Sequence, residues 1–281
     1  MKRKVPRMFW VILITAVAGY LAAALTVFLL QRRLIYFPTR EMLGNPAQCN
    51  LPFKDVALKT SDGLTLCAWY VPPPVADGPV VLHCHGNGGN ISYHLGLIQI
   101  LRNAGVGVLA FDYRGYGHSE GSPDEQGTYR DAQAAWDYLT KTVGIPPERI
   151  IVYGQSLGGG VASHLAVQVK PAGLILESTF TSLTDRGAES FWFLPVRLLA
   201  RYHYPTIDRL ASISCPVLIF HSPSDEVIPI RHGRALFEAA HEPKRFIELR
   251  GDHNNCFEIS GDVYPRALRD FIHQCSPQRS P

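Results

Sequence analysis

One serine has the neighbours that a catalytic nucleophile requires. Ser156 lies in the run GQSLG (154–158), which follows an apolar stretch, IIVY, and opens a predicted helix, GGVASHLAV. A strained strand-to-helix turn lifts such a hydroxyl clear of a sheet, and side chains two residues before and after it would collide there. We therefore predict that Ser156 is a nucleophile. The backbone N–H of Leu157, at the start of the helix, is a predicted oxyanion donor.

The same spacing of glycines and serine occurs once more, in GHSEG (117–121). Ser119 stands several residues past its predicted strand and is followed by Ser-Pro rather than by an apolar helix. Because the motif is defined by its strand and helix, this context predicts a loop serine. The pattern favours Ser156 over Ser119 as the nucleophile.

A glycine-rich turn, HGNGGN (85–90), directly follows the apolar run VVLHC. Backbone N–H groups in such a turn can hold a developing negative charge, and we predict Asn87 N–H as the second oxyanion donor. A plain turn or a phosphate loop is the alternative, but the spacing matches neither of the common phosphate-binding motifs. Asn90 also begins a glycosylation sequon. A glycan there would block the predicted site, so we interpret that match as chance.

An acid and a histidine follow later strands, in an order known for catalytic triads. Asp225 lies in SPSDEVIP (222–229), after the apolar run PVLIFH, and His253 follows RFIEL. Loops at the carboxyl ends of strands collect catalytic groups in open α/β sheets. We predict His253 as the base and Asp225 as the acid that orients it. Glu177, at the end of GLIL, is the main alternative acid, and Glu226 is a third.

The elements that would position these residues alternate between strands and helices. Such alternation predicts an α/β fold with a mostly parallel, eight-stranded sheet flanked by helices. Helices are expected to begin near residues 91, 124, 157, 230 and 262, and Asp62-Gly63 predicts a hairpin turn. The predicted strands are Asp55 to Lys59, Leu64 to Val71, Val80 to Cys84, Val106 to Phe111, Ile150 to Tyr153, Gly173 to Leu176, Val217 to Phe220 and Arg245 to Leu249.

The N-terminus carries an uncharged apolar run from Met8 to Leu30. Such a run is long enough to cross a hydrocarbon core of about 30 Å as a helix. We predict a single-pass membrane anchor over residues 1–45, with the span at about 8–30. A cleavable signal peptide is the alternative, although its apolar region would be shorter. The flanking basic residues favour a cytoplasmic N-terminus and a non-cytoplasmic catalytic domain. They are Lys2, Arg3, Lys4 and Arg7 before the run, and Arg32, Arg33 and Arg40 after it.

Residues 46–281 are predicted to form one catalytic domain, interrupted by a cap insert at about 178–214. The insert contains the apolar run FWFLPVRLLARYHYP, in which Phe191, Trp192 and Leu198 are candidates for a substrate pocket. Alternatively, these side chains form the buried face of a cap helix, which is the more common role of apolar residues at helical spacing.

Charge and cysteine content exclude several classes of function. The 27 basic residues nearly balance the 24 acidic ones, so no strong field indicates a nucleic-acid partner. The six cysteines form no C-x-x-C pair and have no metal-ligand spacing, which argues against a zinc site and a thioredoxin-like motif. We expect neither a metal nor an organic cofactor.

These motifs together resemble the α/β-hydrolase superfamily over nearly the whole chain. The closer resemblance is to a membrane-anchored branch that includes protein depalmitoylases and related bacterial anchored hydrolases. It implies Ser156 as nucleophile, Asp225 as acid and His253 as base, with oxyanion amides at Asn87 and Leu157. The matching stretches are HGNGGN, FDYRGYGHSEGSP, YGQSLGGGVA, LESTF, PVLIFHSPSDEVIP and EPKRFIELRGDHNN. The family usually has His-Gly before the acid loop, where this chain has His-Ser at 221–222.

The residues and the resemblance predict a serine hydrolase that cleaves a carboxylic ester or thioester through an acyl-Ser156 intermediate. The expected substrate is a small or lipid-like acyl compound, met at the membrane. A serine peptidase resembling the aminopeptidases is the alternative enzyme, and a binding scaffold without catalysis is the alternative outside enzymes. An intact triad gives no reason to propose a scaffold without catalysis.

Overall fold

A mostly parallel sheet of eight strands forms the centre of the molecule, in a computed structural model that describes residues 6–276. The strands are β1 (Phe37–Pro38), β2 (Lys54–Lys59), β3 (Thr65–Val71), β4 (Val80–Cys84), β5 (Gly88–Gly89), β6 (Gly107–Phe111), β7 (Ile150–Gln155), β8 (Gly173–Glu177), β9 (Val217–His221) and β10 (Lys244–Glu248). The sheet order is β10-β9-β8-β7-β4-β6-β3-β2, and β1 and β5 form a separate two-stranded sheet.

The strands run parallel from β10 to β6, and β3 and β2 close one edge in antiparallel pairing. All eight strands expected from the sequence are present. Their bounds agree to within a residue or two, because each is an apolar run bounded by glycine, proline or polar residues. The β2–β3 hairpin turns at Gly63, whose φ of +91° favours glycine, as the Asp-Gly pair predicts.

Helices cover both faces of the sheet. Those near the sheet are α2 (Leu95–Asn103), α3 (Glu125–Asp137), α4 (Leu157–Val169), α8 (Arg231–Ala239), α9 (Cys256–Ile259) and α10 (Val263–Cys275). One apolar core includes residues of α3, α4 and α8, and the other includes residues of α2 and α10. Alternate residues of a strand point to opposite faces, so Val80 and Leu82 enter the first core and Val81 enters the second.

The predicted cap insert contains three short helices: α5 (Leu183–Ser190), α6 (Val196–Leu199) and α7 (Thr206–Leu210). Helix α5 contacts α6, whereas α7 contacts α4 and so joins the insert to the body of the fold. Phe180 and Tyr204, near the two ends of the insert, are buried in the first core. The insert is therefore fixed at its base, while α5 and α6 lie above the sheet edge.

Helix α1 (Arg7–Ile35) contains the predicted span. It is long and apolar enough to cross a membrane, with a mean hydropathy of 2.3 in its most apolar window, and Ala24 is its one buried residue. That exposure distinguishes it from a core helix. Of the basic residues expected to flank the span, Lys2, Arg3 and Lys4 lie outside the described residues.

The chain continues from α1 into the body of the fold without a spacer. Tyr36 is 4 % exposed and belongs to the first core, where its hydroxyl shares a hydrogen bond of 2.7 Å with the Tyr204 hydroxyl. The division at residue 45 into anchor and catalytic domain stays a prediction. Tyr36, on its N-terminal side, nevertheless packs in the core beneath the sheet.

Candidate active site

Ser156 lies at a sharp turn between β7 and α4. Its φ of +51° and ψ of −119° are strained for a residue with a side chain. The turn is possible because glycines surround it. A Cβ at Gly158 would lie 2.0 Å from the backbone oxygen of Cys84, and one at Gly154 would lie 2.3 Å from that of Gly158. Thr179 Oγ1 donates to the Ser156 carbonyl oxygen at 2.6 Å and holds the turn.

The three side chains predicted as a triad form a continuous chain of contacts. Nε2 of His253 lies 3.1 Å from Oγ of Ser156, and Nδ1 of the same ring lies 2.8 Å from Oδ2 of Asp225. All three residues are largely buried, at 6–9 % exposed. These distances are within the range required for proton transfer from the hydroxyl to the imidazole, with the carboxylate fixing the ring.

Backbone donors hold the Asp225 carboxylate in its loop. Oδ1 accepts hydrogen bonds from the N–H groups of Val227, at 2.9 Å, and Ile228, at 2.7 Å. Burial alone would raise the pKa of Asp225. The hydrogen bond and charge interaction with His253, together with the hydrogen bond from the Ile228 N–H, outweigh burial, so the pKa of Asp225 lies below its ordinary value. The carboxylate therefore stays ionised beside the imidazole.

Glu177, the main alternative acid, makes no hydrogen bond with the His253 ring, whose Nδ1 pairs with Asp225. It is fully buried, and its carboxyl group accepts hydrogen bonds from the hydroxyls of Tyr153 and Tyr264. Burial raises the pKa of Glu177, and the tyrosine hydrogen bonds only partly offset that effect. Glu226, the third candidate, accepts a hydrogen bond of 3.2 Å from the backbone N–H of His253 and not from its ring.

Ser222, where the chain departs from the family's His-Gly pattern, joins the two loops that carry the acid and the histidine. Its hydroxyl donates to the carbonyl oxygen of Gly251 and accepts from the N–H of Ser224, at 3.1 Å. A glycine could make neither side-chain bond. The departure therefore adds a link between the Asp225 and His253 loops and leaves their contact in place.

The loop predicted to supply an oxyanion amide is held by the segment that follows α1. Strand β1 pairs with β5, and Phe37 N–H donates to the Asn87 carbonyl oxygen at 2.9 Å. The Tyr116 hydroxyl donates to the same oxygen at 2.8 Å, and Asn87 Nδ2 donates to the Ile35 carbonyl oxygen at 2.8 Å. Asn87, Ser156 and Leu157 all border one cavity.

Two other motifs lie outside this site. Ser119 is fully buried; its hydroxyl donates to the Asp112 carbonyl oxygen and accepts from the Cys67 N–H, both at 2.9 Å. Asn90 is also fully buried and donates through Nδ2 to the Glu41 carbonyl oxygen at 2.7 Å. These contacts give both residues structural roles. Burial of Asn90 also leaves no room for a glycan.

The cavity above Ser156 has a volume of about 320 Å³ and a mostly apolar lining. Phe191 lines it, as predicted. The prediction is wrong for Trp192 and Leu198, which are 82 % and 86 % exposed and lie outside the cavity. In the single turn of α6, residues three apart share a face, so Val196 and Leu199 point inward while Leu198 points outward.

Among the cavity residues that sequence reasoning missed are four from the last turns of α1: Val27, Gln31, Leu34 and Ile35. They share one helical face, at spacings of i, i+4, i+7 and i+8. In a span that is apolar all round, no polar residues mark where such a face begins or ends. The available signal was a single amide side chain at its end, Gln31, which a purely lipid-facing helix does not need.

Comparison with known proteins agrees with this geometry. A family model described as "Serine aminopeptidase, S33" matches residues 77–207. An uncharacterized protein of Mycobacterium tuberculosis is 41 % identical over 263 residues, covering 92 % of this chain and 94 % of that protein. The α/β-hydrolase domain-containing protein WAV2 of Arabidopsis thaliana is 34 % identical over 275 residues, covering 89 % of each.

Solved structures share the fold. The Pyrococcus furiosus esterase Pf2001 superposes with a TM-score of 0.73 at 21 % identity, covering 85 % of this chain and 97 % of that one. An α/β-hydrolase from Vibrio vulnificus gives a TM-score of 0.66 at 23 % identity, covering 84 % and 86 %. The predicted fold and the predicted family are confirmed: the chain belongs to the α/β-hydrolase superfamily.

Proposed function

We propose that the protein is a membrane-anchored serine hydrolase that cleaves carboxylic esters or thioesters through an acyl-Ser156 intermediate. The observation that carries this proposal is the contact chain from Ser156 through His253 to Asp225, in which Ser156 lines an apolar cavity. The short distances between these groups support the three proposed roles, and the strained turn at Ser156 has no evident purpose in a purely structural serine.

In the first half of the proposed reaction, His253 Nε2 takes the Ser156 proton as the oxygen attacks the carbonyl carbon. The backbone N–H groups of Asn87 and Leu157 hold the resulting oxyanion. Asp225 keeps the ring in the tautomer that accepts this proton, and it stabilises the imidazolium that forms. Collapse of the intermediate transfers the proton to the leaving alcohol or thiol and leaves an acyl-Ser156 ester.

In the second half, His253 removes a proton from a water molecule that attacks the acyl carbon. The same two N–H groups hold the second oxyanion. Its collapse returns the proton from His253 to Ser156 Oγ and releases a carboxylic acid. This cycle needs only groups of the chain and water, and a hydrolysed ester or thioester balances every atom and proton.

The lining of the cavity favours an acyl group over a peptide with a free amino end. No aspartate or glutamate of the described residues lines the cavity, and a buried ammonium group requires such a partner. Arg186 also lines the cavity, and its guanidinium donates to the Val227 carbonyl oxygen, at 2.6 Å, and to the Ser190 hydroxyl, at 2.7 Å. The remaining walls are mainly aliphatic and aromatic.

Peptide hydrolysis is the second candidate, because the matching family model is described as a serine aminopeptidase. One panel of substrates distinguishes the two candidate functions. Full-length protein in detergent is mixed with p-nitrophenyl esters, acyl thioesters, and aminoacyl and peptidyl p-nitroanilides. Faster turnover of esters or thioesters supports the proposal, and faster anilide turnover supports the peptidase. A chain that neither turns over any of them nor reacts with a fluorophosphonate probe is a binding scaffold.

Membrane attachment through α1 belongs to the same proposal. The helix is exposed along nearly its whole length, and it has the length and hydropathy of a span. Its final turns form hydrogen bonds with the cap, through Gln31, and with Asn87, through Ile35. These contacts support a retained anchor rather than a signal sequence that is removed. Arg32 and Arg33 at its end suit the boundary between hydrocarbon and headgroups.

A further inference from the structure

The last turns of α1 form part of the wall around the site at Ser156. Val27, Gln31, Leu34 and Ile35 line the same cavity as Ser156. With a rise of 1.5 Å per residue, this face extends for about 12 Å along the helix. Ile35 is at the catalytic end, where its carbonyl oxygen binds the Asn87 side chain at 2.8 Å. Val27 is at the other end, inside the uncharged apolar run from Met8 to Leu30.

Gln31 joins the helix to the cap. Its Nε2 donates to the Leu199 carbonyl oxygen at 2.6 Å, and its Oε1 accepts from the Arg201 N–H at 2.8 Å. Both polar ends of the amide are therefore used on the backbone of the cap. This pairing fixes the width of the cavity between α1 and α6, because neither element can move without breaking a hydrogen bond.

The cap follows α1 further toward the middle of the apolar run. The Tyr20 hydroxyl donates to the Phe193 carbonyl oxygen at 3.0 Å, eleven residues before Gln31 along the helix, or about 16 Å. Trp192, Phe193 and Leu198 expose 82 %, 54 % and 86 % of their surface on this part of the cap. Exposed apolar side chains beside an apolar helix are typical of a surface that lies in a membrane.

The geometry points to a role for α1 beyond anchoring: we propose that it is a specificity-determining wall of the substrate site. The acyl chain of an ester or thioester held in the same membrane lies between α1 and the cap, with its carbonyl carbon at Ser156. Val27 bounds the distal end of this space and limits the length of the acyl chain. This inference rests on the proposed acyl hydrolase function and names its substrate class.

The test is a chain-length series on the full-length protein reconstituted in phosphatidylcholine vesicles. Val27→Trp fills the distal end, and we expect the ratio of kcat/KM for palmitoyl to acetyl p-nitrophenyl ester to fall at least tenfold. Val27→Ala enlarges that end without a clash and should raise the ratio. Leu29→Trp is the matched control, because Leu29 is 61 % exposed on another face of the helix and does not line the cavity; its ratio should equal that of the wild type.

Ratios for both Val27 variants that coincide with the wild type would overturn the inference, as would an equal shift in Leu29→Trp. Failure of the proposed function has a different signature. In that case the wild-type protein itself hydrolyses no ester of the series and resists the fluorophosphonate probe. An active wild type with an unaltered chain-length profile in the variants rejects the role of α1 and leaves the serine hydrolase in place.

Discussion

The side-chain amide of Asn87 donates a 2.8 Å hydrogen bond to the backbone oxygen of Ile35. This bond connects the last turn of α1 to the loop that carries a proposed oxyanion donor. The same residue's carbonyl oxygen accepts from Phe37 and Tyr116. The position of the Asn87 N–H thus depends partly on Ile35 and Phe37, at the end of α1 and just after it.

Asn87→Ala is expected to lower kcat for acetyl p-nitrophenyl ester about 5- to 10-fold, with little change in KM. The variant keeps the backbone N–H and loses one hydrogen bond worth about 1 kcal/mol, so the loop positions its donor less well in the transition state. Asn103→Ala, at the exposed end of α2, is the control and should match the wild type. A rise in KM with unchanged kcat would contradict the assignment of Asn87.

Ser156→Ala is expected to abolish both ester hydrolysis and fluorophosphonate labelling, because no neighbouring hydroxyl can replace the proposed nucleophile. Ser119→Ala should keep its labelling but unfold at a lower temperature. Its buried hydroxyl pairs with two backbone groups, and an unpaired buried group costs about 1–3 kcal/mol. Gel-based labelling and thermal unfolding measure the two effects. If only the Ser119→Ala variant lost its labelling, the nucleophile would be Ser119 and not Ser156.

Asp225→Asn is expected to lower kcat by several orders of magnitude, since an amide favours the imidazole tautomer that cannot accept the Ser156 proton. Glu177→Gln should have a much smaller effect on kcat, because Glu177 accepts hydrogen bonds from tyrosine hydroxyls and makes none with the His253 ring. Steady-state kinetics on a short-chain ester compare the two variants. Equal losses, or a larger loss in Glu177→Gln, would assign the acid to β8.

The Glu177→Gln variant should also change how stability depends on pH. The raised pKa of Glu177 means that the folded protein binds its proton more tightly than the unfolded chain does. The wild type therefore loses stability as the pH rises from the ordinary glutamate value through the raised one. The glutamine variant has no such loss, so its Tm relative to the wild type should increase with pH. Parallel Tm profiles from pH 4 to 8 would show that Glu177 ionises normally.

Full-length protein is expected to stay with membranes through an alkaline carbonate wash, because a span of this hydropathy leaves the bilayer only at great cost. The membrane and soluble fractions are compared by fluorophosphonate labelling, which follows the active enzyme. Recovery of labelled full-length protein in the soluble fraction would reject the anchor.

The sequence predicts the sheet, its helices and the contacts among Ser156, Asp225 and His253 well, because each depends on a local pattern. A strand, a turn residue and a catalytic side chain lie within a few positions of one another, and parallel strands bring their carboxyl ends to one edge. The choice of Asp225 over Glu177 also rests on local context, namely the loop after β9.

Features that depend on distant parts of the chain were less predictable. The outward direction of Leu198 is set by α6, a helix of a single turn, and Trp192 lies in the turn that precedes it. Neither segment is long enough to have a periodic pattern that predicts direction. The pairing of β1 with β5 involves two residues on each side, one of them proline, and carries no strand signal. The contribution of α1 to the cavity is concealed because a lipid-facing residue and a pocket-facing residue have the same apolar composition.

One residue, Tyr36, separates the end of α1 from β1, and Tyr36 is buried. A flexible tether between anchor and enzyme would let the catalytic serine search a volume that grows with tether length. Here the tether has no slack, so an anchored enzyme would hold Ser156 at one height above the bilayer. Substrates would then be sorted by how far their scissile bond stands from the hydrocarbon, as well as by the chemistry of that bond.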